Sequence, residues 1–313
     1  MNTAIFTPAR MNHASAKVRR NSDCAGADGL TPTVYSLGLD ARLGALRRAI
    51  ENNTYQPQPL RAIALNLPGK KPRTLCVPTV DDRIAQTAAA QSLTLEFEAC
   101  FADFSYGYRP ARSVQLALEA LTEQVATRPV LVDADIRDFF GSVGHPRLER
   151  LIDAWVVDDT VRALARRRIA QYQTHNGCGI ALGSPISPLF ANLYLDQLER
   201  TLACAGYAPV RYADDFVIAC RNEHEAGVAL RLAGDTLGAM GLELNADKTH
   251  VVHWDDGIDF LGVHLGGSAP CSKPRACVHP HYQDRSGDRA RAKRAHRRRA
   301  HAADETPHSF VDR

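Results

Sequence analysis

No stretch of the chain approaches the roughly 18 uninterrupted apolar residues of a membrane helix, so no helical span is expected. The first twenty residues, MNTAIFTPARMNHASAKVRR, lack the apolar core of a secretory signal. Eight cysteines are scattered without regular spacing. That disfavours a disulfide framework and points to reduced thiols in a cytoplasm. A strong charge of one sign is also missing: the formal net charge is only +3. From Arg285 onward there are nine Lys or Arg against four Asp or Glu, which leaves 29 basic and 31 acidic residues in the first 284. The body is therefore not a uniformly basic nucleic-acid binder, and phosphate contacts must come from local clusters and the tail.

What is present suffices for a sizeable core: 45% of 313 residues are hydrophobic. Residues 1–30 are polar and small, and are expected to be disordered or loosely packed. Leu39, Leu43, Leu46 and Ile50 predict a helix over 39–51. Ile63–Leu67 and Thr74–Val77 are short apolar runs, joined by Pro68-Gly69-Lys70-Lys71-Pro72 as a hairpin with a basic tip. Asp81 or Asp82 is a candidate cap for a helix through Ala85–Cys100, and Ser113 starts another, to about Val125. Then come a buried strand at Val130–Ile136, helices at Pro146–Val156, Thr160–Gln171 and Ser184–Leu202, and strands at Val210–Tyr212 and Phe216–Cys220. A helix at Glu225–Met240 stops at Gly241, with strands at His250–Trp254 and Asp259–Leu265. Setting aside the inserted helices, the order is strand, helix, strand, strand, helix, strand. That is the split βαβ plan, an antiparallel sheet with two helices on one face.

In this plan the strand carrying Val132-Asp133-Ala134-Asp135-Ile136 lies beside the hairpin whose turn is Ala213-Asp214-Asp215. Three carboxylates would meet at one sheet edge, a costly arrangement unless cations neutralise it. Carboxylate oxygens suit Mg²⁺, and two such ions about 4 Å apart can activate a hydroxyl and stabilise a leaving phosphate. An Asp-Asp pair in a turn more often only satisfies backbone donors. Asp133 and Asp135 fall on the same face, so alternation alone does not choose between them.

Arg211-Tyr212-Ala213-Asp214-Asp215-Phe216-Val217-Ile218 resembles the YADD box of reverse transcriptases, especially those of group II introns and their bacterial relatives. Pro72–Arg83 resembles the block RPLGIPTVEDR, and Phe104–Ser113 resembles FSYGFRPGRS. Asp133–Phe140 resembles DADIKGFF, which selects Asp135 as the ligand. Gly183–Asn192 resembles GGxISPLLAN, and Gly241–Asn245 with Lys248-Thr249, then Phe260-Leu261-Gly262, complete the blocks. The resemblance spans roughly 40–265. It implies an α+β right-hand polymerase: residues 31–128 as fingers, 129–265 as palm, and 266–313 as a basic tail with the thumb reduced or absent. It also implies two Mg²⁺ ions, with Mn²⁺ as a substitute, held by Asp135, Asp214 and Asp215.

Further roles follow from the same resemblance. Lys70, Lys71 and Arg73 would grip the triphosphate, and Ile136 would line the nucleotide site. Phe140 stands where the family excludes the ribose 2′-hydroxyl, favouring dNTP over NTP. Lys248 is a candidate to protonate the departing pyrophosphate, with a surface charge at a strand start as the equal alternative. Arg109 and Arg112 beside Tyr106 and Tyr108 are candidates to hold the template, phosphate to guanidinium and base to ring, and Phe260, Leu261 and Gly262 to contact template or primer. The implied partners are an RNA template, a DNA or RNA primer and dNTPs, with a partner protein or structured RNA in place of a thumb and no membrane.

Some features depart from the family. Ala181-Leu182 replace the usual Pro-Gln, and 266–313 show no apolar periodicity. A zinc-finger-like endonuclease domain is missing, as in CRISPR-associated or defence-associated relatives. Cys271, Cys277, His279 and His281 lack standard zinc-finger spacing, and Arg289–Arg299 reads as an RNA-backbone arm. The reading is an RNA-directed DNA polymerase. Its rivals are an RNA-templated RNA polymerase, which Phe140 opposes, and an inactive RNA-binding remnant, which the intact carboxylates oppose.

Overall fold

The computed structural model describes residues 5–66, 72–172 and 177–267. Along the chain come α1 (Pro8–Asn21), α2 (Pro32–Tyr35), α3 (Leu39–Glu51), β1 (Arg61–Leu65) and β2 (Arg73–Val77). α4 (Val80–Glu98) and α5 (Val114–Val125) precede β3 (Val130–Asp135). Next are α6 (Phe139–Ser142), α7 (His145–Trp155), α8 (Asp159–Gln171) and α9 (Ser187–Cys204). β4 (Val210–Tyr212), β5 (Asp215–Cys220), α10 (Glu223–Ala239), β6 (His250–His253), β7 (Ile258–Phe260) and β8 (Val263–Leu265) follow.

The split βαβ plan is realised. The central sheet has the order β4-β5-β3-β6, and each neighbouring pair is antiparallel. Alternation assigns its two faces. Val130, Val132 and Ala134 of β3 and Phe216, Ile218 and Cys220 of β5 join the core built with α9 and α10. Leu131, Val217 and Ala219 point the other way, against Ala117 and Leu121 of α5 and Ile258 and Phe260 of the β7–β8 hairpin. Asp135 and Asp215 share this second face by the same alternation.

Several expectations need correction. Part of 1–30 is ordered: α1 buries Met11, Ala14 and Val18 on one face, Thr7 caps it, and Pro8 occupies its first turn. Arg10 Nη1 donates to Ser92 Oγ of α4 at 3.2 Å. The polar composition misled because a three-residue apolar stripe is enough to dock a short helix. The cap of α4 is Thr79, whose hydroxyl accepts from Asp82 N, so the helix starts before Ala85. Asp82 instead turns inward, bonded by Tyr55 and Thr79. The expected strand Asp259–Leu265 is a hairpin: Leu261 (φ 52°) and Gly262 (φ 79°) make the tight turn whose mirror-image twist suits paired strands.

Strands β1 and β2 pair as the basic-tipped hairpin predicts. Lys70 and Lys71 lie outside the described residues, as do 268–313. The expectation of a reduced or absent thumb, the arginine-rich run and the cysteine–histidine group fall there as well.

Candidate active site

The site is built where the central sheet ends. Asp135 closes β3 and lies directly opposite Asp215, the first residue of β5. Asp214 sits in the intervening turn after Ala213, which takes a left-handed φ of 59°. Like charges facing each other across an antiparallel pair destabilise it, so the arrangement has no structural gain of its own.

The electrostatics record that repulsion. Burial, then Asp214 and Asp135, push the Asp215 carboxyl up to about 7, although its side chain still reaches solvent. Burial and Asp135 also raise Asp214. Burial opposes ionisation of Asp135 too, but hydrogen bonds from Lys248 and Asn245 outweigh it and hold Asp135 below the usual carboxylate range. Lys248 Nζ is 2.8 Å from Asp135 Oδ1, and Asn245 Nδ2 is 2.9 Å from Oδ2. Asn245 N also donates to the Asp135 carbonyl at 2.8 Å. The loop after α10 thus closes on the end of β3. Asp133 is two residues back, 3.5 Å from His250 Nε2.

Among the described residues no three His, Cys, Asp or Glu side chains converge on one point as a finished metal cage. The donor set nevertheless fits a hard divalent cation: all-oxygen, anionic, and already carrying one cation, the Lys248 ammonium, on Asp135. Carboxylates held in such mutual repulsion gain most when a divalent ion enters.

A buried frame holds the turn, and the sequence reading missed it. Arg211 is 1% exposed; Nε donates to Glu199 Oε1 at 2.5 Å, and Nη1 to Asn192 Oδ1 at 3.1 Å and to the Ala213 carbonyl at 2.8 Å. Asn192 Nδ2 in turn donates to the Gly107 carbonyl at 3.0 Å. Gly107 lies so close that a Cβ there would come within 2.7 Å of Ala213 N. Asn192 and Glu199 sit seven residues apart on α9, two turns on one helix face. That spacing was the available signal.

The other expected site residues divide. Arg73 is exposed at the start of β2 and is an electrostatic neighbour of Asp214. Ile136 is buried. Phe140 is half-buried and packs edge-on to the buried Phe139 at 5.5 Å. Arg109 is corrected: its guanidinium is buried, bonded to Glu98 at 3.0 Å and to the Ala102 carbonyl at 2.5 Å, so it fastens a loop and has no free face for a template. Arg112 pairs with Asp103 at 2.6 Å and lies over the half-buried Tyr106 ring at 5.3 Å. Phe260 is core, which leaves Leu261 and Gly262 at the hairpin tip. Ala181 is buried, and the Leu182 carbonyl accepts from Cys76 N of β2 at 2.7 Å.

An antiparallel split βαβ sheet with carboxylates at its edge defines a palm-type nucleotidyltransferase. Residues 66–265 match the family Reverse transcriptase (RNA-dependent DNA polymerase), and the chain belongs to it. It is 28% identical to Protein YkfC of Escherichia coli over 77% of this chain and 75% of that protein. It is 29% identical to the group II intron-encoded protein LtrA of Lactococcus lactis over 51% of this chain and 28% of that one. Retron Mx65 reverse transcriptase of Myxococcus xanthus is 27% identical over 61% of this chain and 48% of its own. Among solved structures, telomerase from Candida albicans superposes with a TM-score of 0.53 at 13% identity, over 76% of this chain and 49% of that one. That likeness concerns the fold. The chain is thus a group II-type bacterial reverse transcriptase by family, an RNA-directed DNA polymerase. No helix among the described residues is long and apolar enough to cross a membrane.

Proposed function

We propose that the chain extends a primer terminus with dNTPs on an RNA template, with Asp135, Asp214 and Asp215 holding two Mg²⁺ ions. Residues 31–128 act as fingers and 129–265 as palm. The observation that carries this reading is the direct opposition of Asp135 and Asp215 beside Asp214, a repulsive trio that Lys248 relieves only at Asp135 and that a bound cation would relieve further. When bound, the ions supply charge neutralisation at the attacking hydroxyl and the leaving pyrophosphate. Asp135 and Asp215 orient that site from two adjacent strands, and the Arg211 frame keeps Asp214 in register with them.

Lys248 neutralises Asp135 in the free protein and stands ready to give a proton to the departing pyrophosphate. Arg73 approaches from β2 with a planar fork suited to the triphosphate. Phe140, half-buried at the start of α6, presents a ring where C2′ of the incoming sugar would lie, so it selects dNTP by steric overlap. An extension assay with purified protein, primed RNA, Mg²⁺ and either dNTP or NTP tests the reading. dNTP incorporation that disappears in Asp135→Asn and Asp214→Asn is expected. Near-normal extension by either variant would remove the site assignment, and a preference for NTP would make the enzyme an RNA polymerase instead.

A further inference from the structure

Tyr108 is 50% exposed, and its backbone sits at φ 63°, a region that non-glycine residues enter only under constraint. The constraint is visible on both sides. Before it, Gly107 is pressed against Ala213 N and tied to Asn192, which is itself tied to the buried Arg211–Glu199 pair. After it, Arg109 is locked by Glu98 and the Ala102 carbonyl. A buried ion pair and a partly buried one therefore brace a strained backbone whose result is an aromatic ring left half exposed. Packing does not explain this, because a core role would hide the ring.

The ring's surroundings indicate its use. Its centroid is 6.5 Å from that of Tyr212, at an interplanar angle of 44°. Asp214, Asp215 and Arg73 are the charged groups that act on its phenol. An aromatic pair with Tyr108 on its exposed side thus borders the carboxylates, close to where, on the reading proposed above, the growing primer end must lie. Flat π-faces are what a nucleobase stacks on, whatever its identity.

We infer that Tyr108 contacts the nucleobases of the terminal primer–template pair and, with Tyr212, sets that pair's position relative to Asp135, Asp214 and Asp215. The inference rests on the polymerase reading, but binding can test it without nucleotide addition.

The experiment uses the full chain and a DNA primer on an RNA template, with fluorescent 2-aminopurine either at the primer's 3′ terminus or at an internal position. Wild-type protein, and equally Asp214→Asn, is expected to quench the terminal reporter more than the internal one. Tyr108→Gly removes the ring and relieves the left-handed backbone, so its Tm should be equal to or above wild type. Its terminal quenching should be lost, and KM for primer–template should rise about tenfold, the scale of one stacking contact, with kcat falling as well because the terminal pair is no longer held against the carboxylates. Tyr108→Phe should restore all three readouts. Unchanged terminal quenching and unchanged KM in Tyr108→Gly would overturn the inference, as would a fall in Tm with binding intact, which would mark the ring as packing. If wild type adds no dNTP yet shows quenching that depends on Tyr108, the polymerase reading fails while the nucleic-acid contact stands.

Discussion

Neutralising Asp215 should destroy activity and stabilise the metal-free protein at the same time. In the folded chain this carboxyl is pushed up to about 7 from the ordinary 3.8 by burial and by Asp214 and Asp135. Between those two values the folded state holds a proton that the unfolded chain has released. Stability therefore falls as pH rises through that window, and the penalty is complete above it. Three units at ~1.4 kcal/mol each give an upper bound of ~4 kcal/mol. Because the side chain reaches solvent, screening should reduce the realised effect to about 1 kcal/mol. Asp215→Asn carries no such penalty. Urea unfolding in the presence of a chelator should then show the variant ahead by about 1 kcal/mol at pH 8 and level with wild type below pH 4. Added Mg²⁺ should stabilise wild type more than the variant, since binding to the folded state adds to its stability. Equal stabilities at pH 8, or a gain that does not change with pH, would refute the claim that these carboxylates repel one another in the free protein.

Phe140→Val should raise kcat/KM for NTP relative to the matched dNTP, with only a modest fall for dNTP; an unchanged ratio would make Phe140 a packing residue. Glu199→Ala leaves the buried Arg211 guanidinium without its carboxylate and should cost ~3–5 kcal/mol in urea unfolding. Arg112→Ala, which breaks a pair with the exposed Asp103, should cost less than ~1 kcal/mol. Comparable losses in the two variants would contradict the frame described for the YADD turn. Deleting residues 285–313 should weaken primer–template binding and flatten its salt dependence, with log K changing by roughly 0.7–0.9 less per lost phosphate contact per log unit of salt. A salt slope that survives the deletion would place those contacts elsewhere.

Much of the architecture was determined by the sequence alone, because it rests on local rules. Alternation in Val130–Ile136 and Phe216–Cys220 and the helical spacing of Leu39, Leu43, Leu46 and Ile50 each report burial within one element. The order of those elements then implied the split βαβ sheet, and with it the meeting of Asp135 with Asp214 and Asp215. What tertiary structure decided was how side chains with several uses are spent. Arg109 reads in sequence as a free cation beside aromatics, yet Glu98 and the Ala102 carbonyl claim it. The α1 helix looks too polar to fold until α4 offers Met11, Ala14 and Val18 a surface. The seven-residue spacing of Asn192 and Glu199 marks one helix face in sequence, but nothing there names Arg211 as their partner, since β4 and α9 meet only in the folded core. A charged or polar residue is committed by whichever partner burial brings within hydrogen-bond reach, and that partner is set by the packing of distant elements rather than by its neighbours in the chain.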